Sequence, residues 1–385
     1  MFFKLIKKLI RAPKTIKSIY DKERLHYDFF SDVFTHLEEY LKPGSYTYTL
    51  KPKKIIYKKH HSSKKFINKL SKELDIKKLN FKDKFRKSLI EVLSNIFRKS
   101  FKVKRNITNV DNQFDLIMVL YQQHGYKLFD LELNNVLKIH LQNERYKSEK
   151  EIIEKLSDDI SIPNHAFLTH KKMIVEKLVD FKPYSELTNQ EILLGFKQFL
   201  DDYVGYIASQ DQADLEQYEP EKLVKIYDKA FDGYDFWNTI KKEFKLVEKL
   251  KEDSEITYVE FKDDLKFKNF IITNRGQYYL IDFEMTSQVF SFAPLMVPMM
   301  DLGFSYEDDF VLKELFRGTF DSPLSKISEI INQDYSKNNR DVYLILAMLP
   351  PPQKLQQENT GVLDEELDKE ALNENILKRL DILKQ

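Results

Sequence analysis

Hydrophobic and polar positions between residues 114 and 178 follow the pattern of an antiparallel sheet. Gly125 and the pair Asn134-Asn135 are turn residues between apolar runs, and residues 144–156 space their apolar side chains as a helix does. The predicted strands, all rich in apolar and aromatic residues, cover 114–121, 127–133, 136–140 and 172–178. The sequence therefore predicts four strands, with one helix between the third and the fourth.

A shorter hairpin is predicted between residues 270 and 281. Residues 270–273 and 277–281 are apolar and aromatic, and the tight-turn sequence Asn274-Arg275-Gly276 separates them. Because a hairpin returns the chain to its starting end, we expect Asn269 and Asp282, which flank it, to lie close together.

Other segments have weaker patterns. Residues 45–59 indicate a strand pair, and residues 81–101, 184–208 and 223–250 have apolar residues at helical spacing. Three consecutive prolines, beginning at Pro350, are predicted to end the globular part. Residues 353–385 are charged and weakly periodic, which fits either a terminal helix or a mobile tail.

The polar residues around the hairpin suggest phosphoryl-transfer chemistry. Such a reaction needs one carboxylate to receive the proton of an attacking hydroxyl, and oxygen ligands that hold Mg²⁺ against nucleotide phosphates. Asp264 fits the first role, and Asn269 and Asp282 fit the second, with Glu284 as a further metal-ligand candidate. The alternative interpretation is a polar loop beside an ordinary surface pair of acids.

A lysine that steers phosphates is predicted upstream. Lys138 lies on the third predicted strand, and Glu149 lies on the following helix, where it could fix the lysine. Taken singly, Lys138 is one of 62 basic residues and fits a solvated surface charge equally well. Its position before that helix is what favours the phosphate role.

From about residue 112 to about residue 300, the chain resembles the aminoglycoside phosphotransferase and choline kinase group, small-molecule kinases of the protein-kinase-like fold. The sequence VLKI at 136–139 resembles the strand with the phosphate-binding lysine. The sequence IDFE at 281–284 resembles the choline-kinase ending more than the Asp-Phe-Gly of protein kinases. The resemblance implies an ATP- and Mg²⁺-dependent kinase.

The resemblance also implies roles for individual residues. Asp264, Lys138 and Glu149 would be catalytic, and Asn269, Asp282 and Glu284 would hold the metal. The implied nucleotide-binding set combines the phosphate loop, the lysine and the strand that borders adenine: Gly125, Lys138, Glu176, Lys177 and Leu178.

Three departures from the family pattern stand out. Lys262 occupies the position where a His usually precedes the catalytic Asp, and Asp263 lies beside Asp264. The phosphate loop has a single glycine. No Ala-Pro-Glu follows Asp282, and an apolar run beginning at Ser291 takes its place, which argues against a protein kinase with a regulated activation loop.

Charge divides the chain near residue 110. Residues 1–110 contain 29 Lys and Arg against 10 Asp and Glu, a balance of +19, and the remainder carries −18. Residues 1–11 place apolar side chains on one side of a predicted helix and lysines on the other, a pattern of helices that lie on anionic membrane surfaces. The chain has no Cys, which excludes disulfides and thiolate zinc sites and fits a reducing cytoplasm.

These observations predict an α+β, two-lobed protein-kinase-like fold with a small antiparallel-sheet N-lobe and a mainly helical C-lobe. The predicted divisions are a basic extension (1–110), an N-lobe (111–180), a C-lobe (181–352) and a charged helix or tail (353–385). The expected activity is transfer of the γ-phosphoryl group of ATP to a small-molecule or glycan hydroxyl, in the cytoplasm or peripherally on the inner membrane face. Nucleic acid is not an expected partner. A protein kinase and a nucleotide-binding pseudokinase or scaffold remain as alternatives.

Overall fold

The computed structural model describes residues 13–50, 53–74, 98, 100–103, 114–120, 124–211, 214–251, 255–262, 264–283, 286–333, 335–357 and 369–384. The chain divides into two units. The first runs to Tyr146 and includes Asn164–Val179 and Pro183–Ser185, and the second comprises Lys147–Pro163, Asp180–Lys182 and the chain from Glu186 onward. Each unit has its own sheet structure.

An antiparallel sheet of eight strands forms the centre of the first unit, with the strand order β3-β1-β2-β4-β5-β6-β8-β7. Its strands are β1 (Gly44–Thr49), β2 (Ile55–Lys58), β3 (Phe101–Val103), β4 (Leu116–Val119), β5 (Gly125–Asp130), β6 (Asn135–His140), β7 (His165–Leu168) and β8 (Met173–Lys177). The four strands predicted from residues 114–178 are therefore present. Strand β7, which follows Pro163, is not among those four.

Helices α1 (Pro13–Leu37) and α2 (His61–Leu74) cover opposite faces of this sheet. Successive strand residues point to opposite faces, so in β2 Ile56 packs in the cluster that contains α1, and Ile55 packs in the cluster that contains Ile67 of α2. Burial on both faces is consistent with the continuous apolar run of β4, whose four residues are LIMV.

The basic segment supplies three of the eight strands. The strand pair predicted within residues 45–59 is confirmed by the antiparallel pairing of β1 with β2, and β2 in turn pairs with β4. The change in charge near residue 110 consequently falls inside the first unit. Most of the helix predicted at 81–101 lies outside the described residues, and its last residue, Phe101, begins β3.

The second unit is mainly helical. It contains the sheet β13-β10-β9 and the hairpin β11–β12, formed by β9 (Glu216–Tyr218), β10 (Ile256–Lys262), β11 (Phe270–Ile272), β12 (Tyr278–Leu280) and β13 (Thr286–Phe290). Its helices begin with α3 (Asn143–Leu156), which starts in the first unit, and continue with α4 (Asn189–Ser209), α5 (Pro220–Ala230), α6 (Asp235–Glu243), α7 (Leu246–Leu250), α8 (Ala293–Ser305), α9 (Phe310–Phe316), α10 (Asp321–Ile331), α11 (Arg340–Met348), α12 (Pro352–Gln357) and α13 (Lys369–Leu383). An antiparallel-sheet unit and a mainly helical unit confirm the α+β class.

The prolines at 350–352 do not end the folded part of the chain, contrary to the prediction. Helix α13 lies beyond them and buries Ile376 and Leu380. The Asn373 side chain accepts a hydrogen bond of 3.1 Å from the Phe236 backbone N–H in α6. The burial of these two residues and this hydrogen bond pack the helix against the rest of the unit. The high charge of the segment gave little indication of this packing. Within the described part of the chain, no helix is both long and apolar enough to span a bilayer.

Candidate active site

The β11–β12 hairpin forms as the sequence predicts. Phe270 pairs with Leu280 across it, and the Ile281 N–H donates to the Asn269 carbonyl at 3.0 Å. Gly276 in the turn has a φ of +73°, a conformation that favours glycine. Ile281 thus faces Asn269 at the open end of the hairpin. Asp282 is the next residue after Ile281, so Asn269 and Asp282 lie at the same end of the hairpin.

Asp264 and Asn269 are joined directly. The Asn269 Nδ2 donates to the Asp264 carboxylate Oδ2 at 3.1 Å and to the Asp264 backbone carbonyl at 2.8 Å. Asn269 is 2% exposed, whereas 43% of the Asp264 side chain is exposed. The amide orientation assigned by these bonds leaves Oδ1 as the atom of Asn269 that could bind a metal.

Two lysines shape the electrostatics of Asp264. The Lys266 Nζ lies 3.1 Å from Asp264 Oδ1, and the Lys268 Nζ lies 3.8 Å from Oδ2. Burial by itself raises the pKa of Asp264, but the two ammonium groups and the Asn269 hydrogen bond outweigh it, and the net pKa is lowered. The carboxylate is therefore ionised at neutral pH and can accept a hydrogen bond from a hydroxyl group.

Lys262 contacts the backbone at Asp282. It is fully buried at the end of β10, where its Nζ donates to the Asp282 carbonyl and lies 5.5 Å from the centroid of the Phe283 ring. Asp282 has a φ of +68°, which is uncommon for a residue other than glycine. Lys262, at the position where the kinases that the motifs resemble usually have His, thus holds the backbone that presents the Asp282 side chain.

Asn269 and Asp282 suit Mg²⁺ by chemistry, since both offer hard oxygen ligands. Asp263 and the predicted ligand Glu284 lie outside the described residues. Within the residues that are described, no group of three or more His, Cys, Asp or Glu side chains could hold a metal. A kinase site does not need such a group, because nucleotide phosphates supply further oxygen ligands.

Asp301 is a residue of this loop that the sequence analysis missed. Its Oδ2 accepts from the Phe267 N–H at 2.9 Å, and its Oδ1 accepts from the Ser305 hydroxyl at 2.6 Å. Asp301 lies in α8, within the apolar run that follows Asp282. It therefore ties the segment between Asp264 and Asn269 to a helix, and a lone acid in an apolar run was the signal for it.

In the first unit, Lys138 forms a buried ion pair with Glu176. Lys138 is on β6 and Glu176 is on the adjacent strand β8, with 2.8 Å between Nζ and Oε1. The exposed fractions of the two side chains are 2% and 11%. The sequence predicts Glu176 as a nucleotide-binding residue and does not indicate this ion pair. Glu149 is buried on α3, in the second unit.

Two backbone N–H groups of the predicted adenine-binding segment already donate hydrogen bonds within the protein. The Lys177 N–H donates to the Asn164 carbonyl and the Leu178 N–H donates to the Asn134 carbonyl, both at 2.8 Å. A nucleotide that used either N–H group would have to displace a protein carbonyl. Neither bond could be predicted from local sequence, because the acceptors lie 13 and 44 residues away.

Gly125, predicted in a phosphate loop, is the first residue of β5. A Cβ there would lie 2.2 Å from the Ile139 carbonyl oxygen on β6. The close approach of the two strands is thus sufficient to explain a glycine at this position. The preceding residues 121–123 lie outside the described residues.

No protein-family model and no curated protein matches this chain. Solved structures that it resembles include choline kinase LicA from Streptococcus pneumoniae, with 16% identity, a TM-score of 0.38, and coverage of 77% of this chain and 98% of that one. Amicoumacin kinase hAmiN has 15% identity and a TM-score of 0.39, with 69% and 87% covered. Aminoglycoside phosphotransferase APH(2'')-Ib has 16% identity and a TM-score of 0.35, with 67% and 89% covered. Two of these names, a choline kinase and an aminoglycoside phosphotransferase, are those of the group that the sequence motifs resemble.

Proposed function

We propose that this protein is a phosphotransferase that moves the γ-phosphoryl group of ATP to a hydroxyl group of a small molecule or glycan. The observation that carries the proposal is the arrangement of Asp264, Asn269 and Asp282. A hairpin hydrogen bond, a side-chain hydrogen bond and a buried lysine hold these three residues in one loop system.

The proposed role of Asp264 is to bind the hydroxyl group of the acceptor. Its carboxylate is ionised, accessible, and fixed by Asn269 on one side. Its lowered pKa makes it a weak base, so its main contribution is to orient the hydroxyl and to take the proton as the new O–P bond forms. Asn269 Oδ1 and the Asp282 carboxylate, with Glu284, are the proposed Mg²⁺ ligands. When bound, Mg²⁺ would neutralise charge on the transferred phosphoryl group.

The nucleotide-binding roles remain part of the proposal. Lys138 is the proposed contact to the α- and β-phosphates, with Glu149 as the residue that fixes it, as the family resemblance implies. The Glu176 ion pair supports a fixed position for the Lys138 ammonium group. Gly125, Lys177 and Leu178 are also proposed to lie beside the nucleotide. A nucleotide that bonded to the Lys177 or Leu178 N–H would have to break the hydrogen bond to Asn164 or Asn134 described above.

The proposed acceptor is soluble or attached to a membrane lipid or surface polysaccharide. The amphipathic pattern of residues 1–11 supports peripheral contact with an anionic membrane from the cytoplasmic side. Residues 1–12 lie outside the described residues, so this support comes from sequence alone.

The test is transfer of label from γ-labelled ATP, with Mg²⁺, into fractionated small-molecule, lipid and glycan pools. We expect label in one acceptor pool with the wild-type protein and at least about a hundredfold less with Asp264→Asn. Label in a protein acceptor, lost in Asp264→Asn, would instead establish a protein kinase.

A nucleotide-binding pseudokinase is the second candidate. Two observations favour it: Lys262 replaces the usual His, and the Leu178 N–H is already bonded to Asn134. Nucleotide binding without label transfer to any pool, including proteins, would establish this alternative and contradict the proposed activity.

A further inference from the structure

Helix α13 packs directly against α8, the helix that holds the loop around Asp264. Ile376 and Leu380 of α13 are buried. A Cβ at Gly303 of α8 would lie 3.7 Å from the Ile382 Cγ2, an ordinary van der Waals distance, so the two helices are in close contact at this point. A change in α13 can therefore act on α8 directly.

Arg379 of α13 lies over an aromatic ring of α8. Its guanidinium carbon is 5.3 Å from the centroid of the Phe304 ring, a distance at which a cation is attracted to the ring. Asp301 is three residues before Phe304, so the two side chains lie on the same side of α8. Arg379 thus faces the side of α8 that carries Asp301.

The Asp301 carboxylate attracts the Arg379 guanidinium group. Burial lowers the pKa of Arg379, and the negative charge of Asp301 opposes that effect. Arginine stays protonated at neutral pH, so its positive charge is always present beside Asp301. The buried Nε of Arg379 has no hydrogen-bond partner among the residues that the structure describes. Arg379 therefore acts on Asp301 through its charge and not through an Nε hydrogen bond.

On its other contacts, α8 holds the 264–269 segment in two ways. The Asp301 Oδ2 accepts from the Phe267 N–H at 2.9 Å. The ring of Tyr306, directly after α8, lies edge-on to the Phe267 ring, with 5.5 Å between the centroids. Phe267 is buried and lies between Asp264 and Asn269 in sequence. Movement of the Asp301 carboxylate would consequently loosen the segment that carries both residues.

We propose that α13 is a positioning element of the candidate active site, in which Arg379 steadies the Asp301 carboxylate and thereby keeps the 264–269 segment in place. A fixed positive charge restricts where the carboxylate can move, and a carboxylate that moves less keeps its hydrogen bond to the Phe267 N–H. The expected effect on turnover rests on the proposed function, whereas the expected effect on the segment itself does not.

The alternative role for Arg379 is packing alone. Arginine covers apolar surface with its aliphatic stem, and in that role a neutral side chain of similar length would replace it with little loss. The two roles are separated by whether charge or length matters. Arg379→Met keeps an apolar stem and removes the charge, and Arg379→Lys keeps the charge.

The experiment uses full-length variants and measures hydrogen exchange of the 264–269 segment by mass spectrometry of short peptides. Exchange of the Phe267 N–H requires its hydrogen bond to Asp301 to open, so the rate reports how often the segment leaves its position. Lys378→Met is the matched control, because it removes the same charge from the exposed neighbouring residue of the same helix. Peptides of the β11–β12 hairpin show whether any change is local.

We expect Arg379→Met to raise the exchange rate of the segment about tenfold, and Arg379→Lys and Lys378→Met to change it less than about threefold. Hairpin peptides should keep their wild-type rates. The kcat for ATP turnover should follow the same order, with a loss of about tenfold in Arg379→Met that Arg379→Lys largely restores.

Equal exchange of the segment in Arg379→Met and Lys378→Met would overturn the proposal. So would faster exchange that extended to the hairpin or that Arg379→Lys shared, because either result would indicate lost packing instead of lost charge. The melting temperature of each variant checks its fold, and Arg379→Gln, which also lacks the charge, replaces Arg379→Met if that variant unfolds. The expected exchange rates with no turnover in the wild type would contradict the proposed activity and still support the coupling of α13 to the segment.

Discussion

The two units differ in how they hold their charged residues. In the first, Lys138 and Glu176 lie on adjacent strands, almost fully buried, 2.8 Å apart. In the second, Asp264 lies in a loop with 43% of its side chain exposed, and its neighbours Lys266, Lys268 and Asn269 come from the next five residues. The Lys138–Glu176 pair is therefore buried and joins residues distant in sequence, whereas the Asp264 cluster is partly exposed and joins residues close in sequence.

The difference in burial determines how much the fold depends on each charged group. A buried ion has lost its hydration, so removal of its partner leaves an uncompensated charge and destabilises the fold. A half-exposed carboxylate keeps part of its hydration, and the attraction of neighbouring lysines is screened. We therefore expect changes at Lys138 or Glu176 to lower the free energy of unfolding, in addition to the proposed effect of Lys138 on nucleotide binding. Changes at Asp264 should alter turnover with little effect on the fold.

The largest expected effect is on turnover at Asp264. Asp264→Asn should lower ATP turnover by about 10²–10⁴-fold, the usual contribution of a positioned proton acceptor, and should leave nucleotide affinity nearly unchanged. Asp263→Asn should be mild, and the exposed Asp309→Asn is a control with the same chemical change. A larger loss in Asp263→Asn than in Asp264→Asn would mean that the neighbouring acid is the catalytic one.

The pH profile of the same reaction sharpens this assignment. The pKa of Asp264 is lowered in the fold, so its carboxylate remains ionised as the pH falls from neutral to its usual range. Turnover that needs this carboxylate should stay level across that interval and decline only at more acidic pH. An inflection near neutral pH that disappears in Asp264→Asn would contradict the electrostatic account of the loop.

The buried pair should give the next largest effect. Lys138→Met should lower the free energy of unfolding by about 3 kcal/mol, because it leaves the Glu176 carboxylate buried without its ammonium partner. Urea denaturation measures the change. The double variant Lys138→Met with Glu176→Leu should recover part of the loss, and a strictly additive double variant would show that the two groups do not interact.

A substitution at the start of α4 should have the smallest effect of the four, a small decrease in the free energy of unfolding. Glu191 accepts from the Lys182 ammonium group at 2.8 Å and, in a capping box, from the Thr188 N–H at 2.7 Å, and these bonds lower the pKa of Glu191 to about 2. Glu191→Gln should cost about 1 kcal/mol of unfolding free energy at neutral pH. Because the pKa is lowered, this stabilisation is present above the usual pKa of Glu and is lost as the pH falls towards 2. The two proteins should thus converge in stability in acid, and a constant difference would exclude this linkage.

Local sequence was sufficient to predict the loop. Asp264, Asn269 and Asp282 lie within 19 residues, and the turn at Gly276 determines which of them come together. Turn chemistry and alternating apolar residues act over such short distances. For this reason the hairpin, and the proximity of its flanking residues, could be predicted without a structure.

Distant pairings could not be predicted in the same way. Glu176 is 38 residues from Lys138, and it comes beside Lys138 because β6 pairs with β8, the second strand after it in sequence. The strands of the basic segment join the same sheet through β2 and β4, although charge suggested a division there. Strand pairing of this kind depends on packing across the whole sheet, which no local pattern contains.

The proposed role of the Asp264–Asn269–Asp282 loop in Mg²⁺-dependent phosphoryl transfer is tested most directly by measuring ATP turnover of Asp282→Ala as a function of Mg²⁺. Turnover should fall to background at every Mg²⁺ concentration, while the melting temperature remains close to that of the wild type. Asn238→Ala, an exposed position on α6, serves as the control, and Asn269→Ala should repeat the loss. Turnover by Asp282→Ala that equals the wild-type rate would contradict the phosphotransferase assignment.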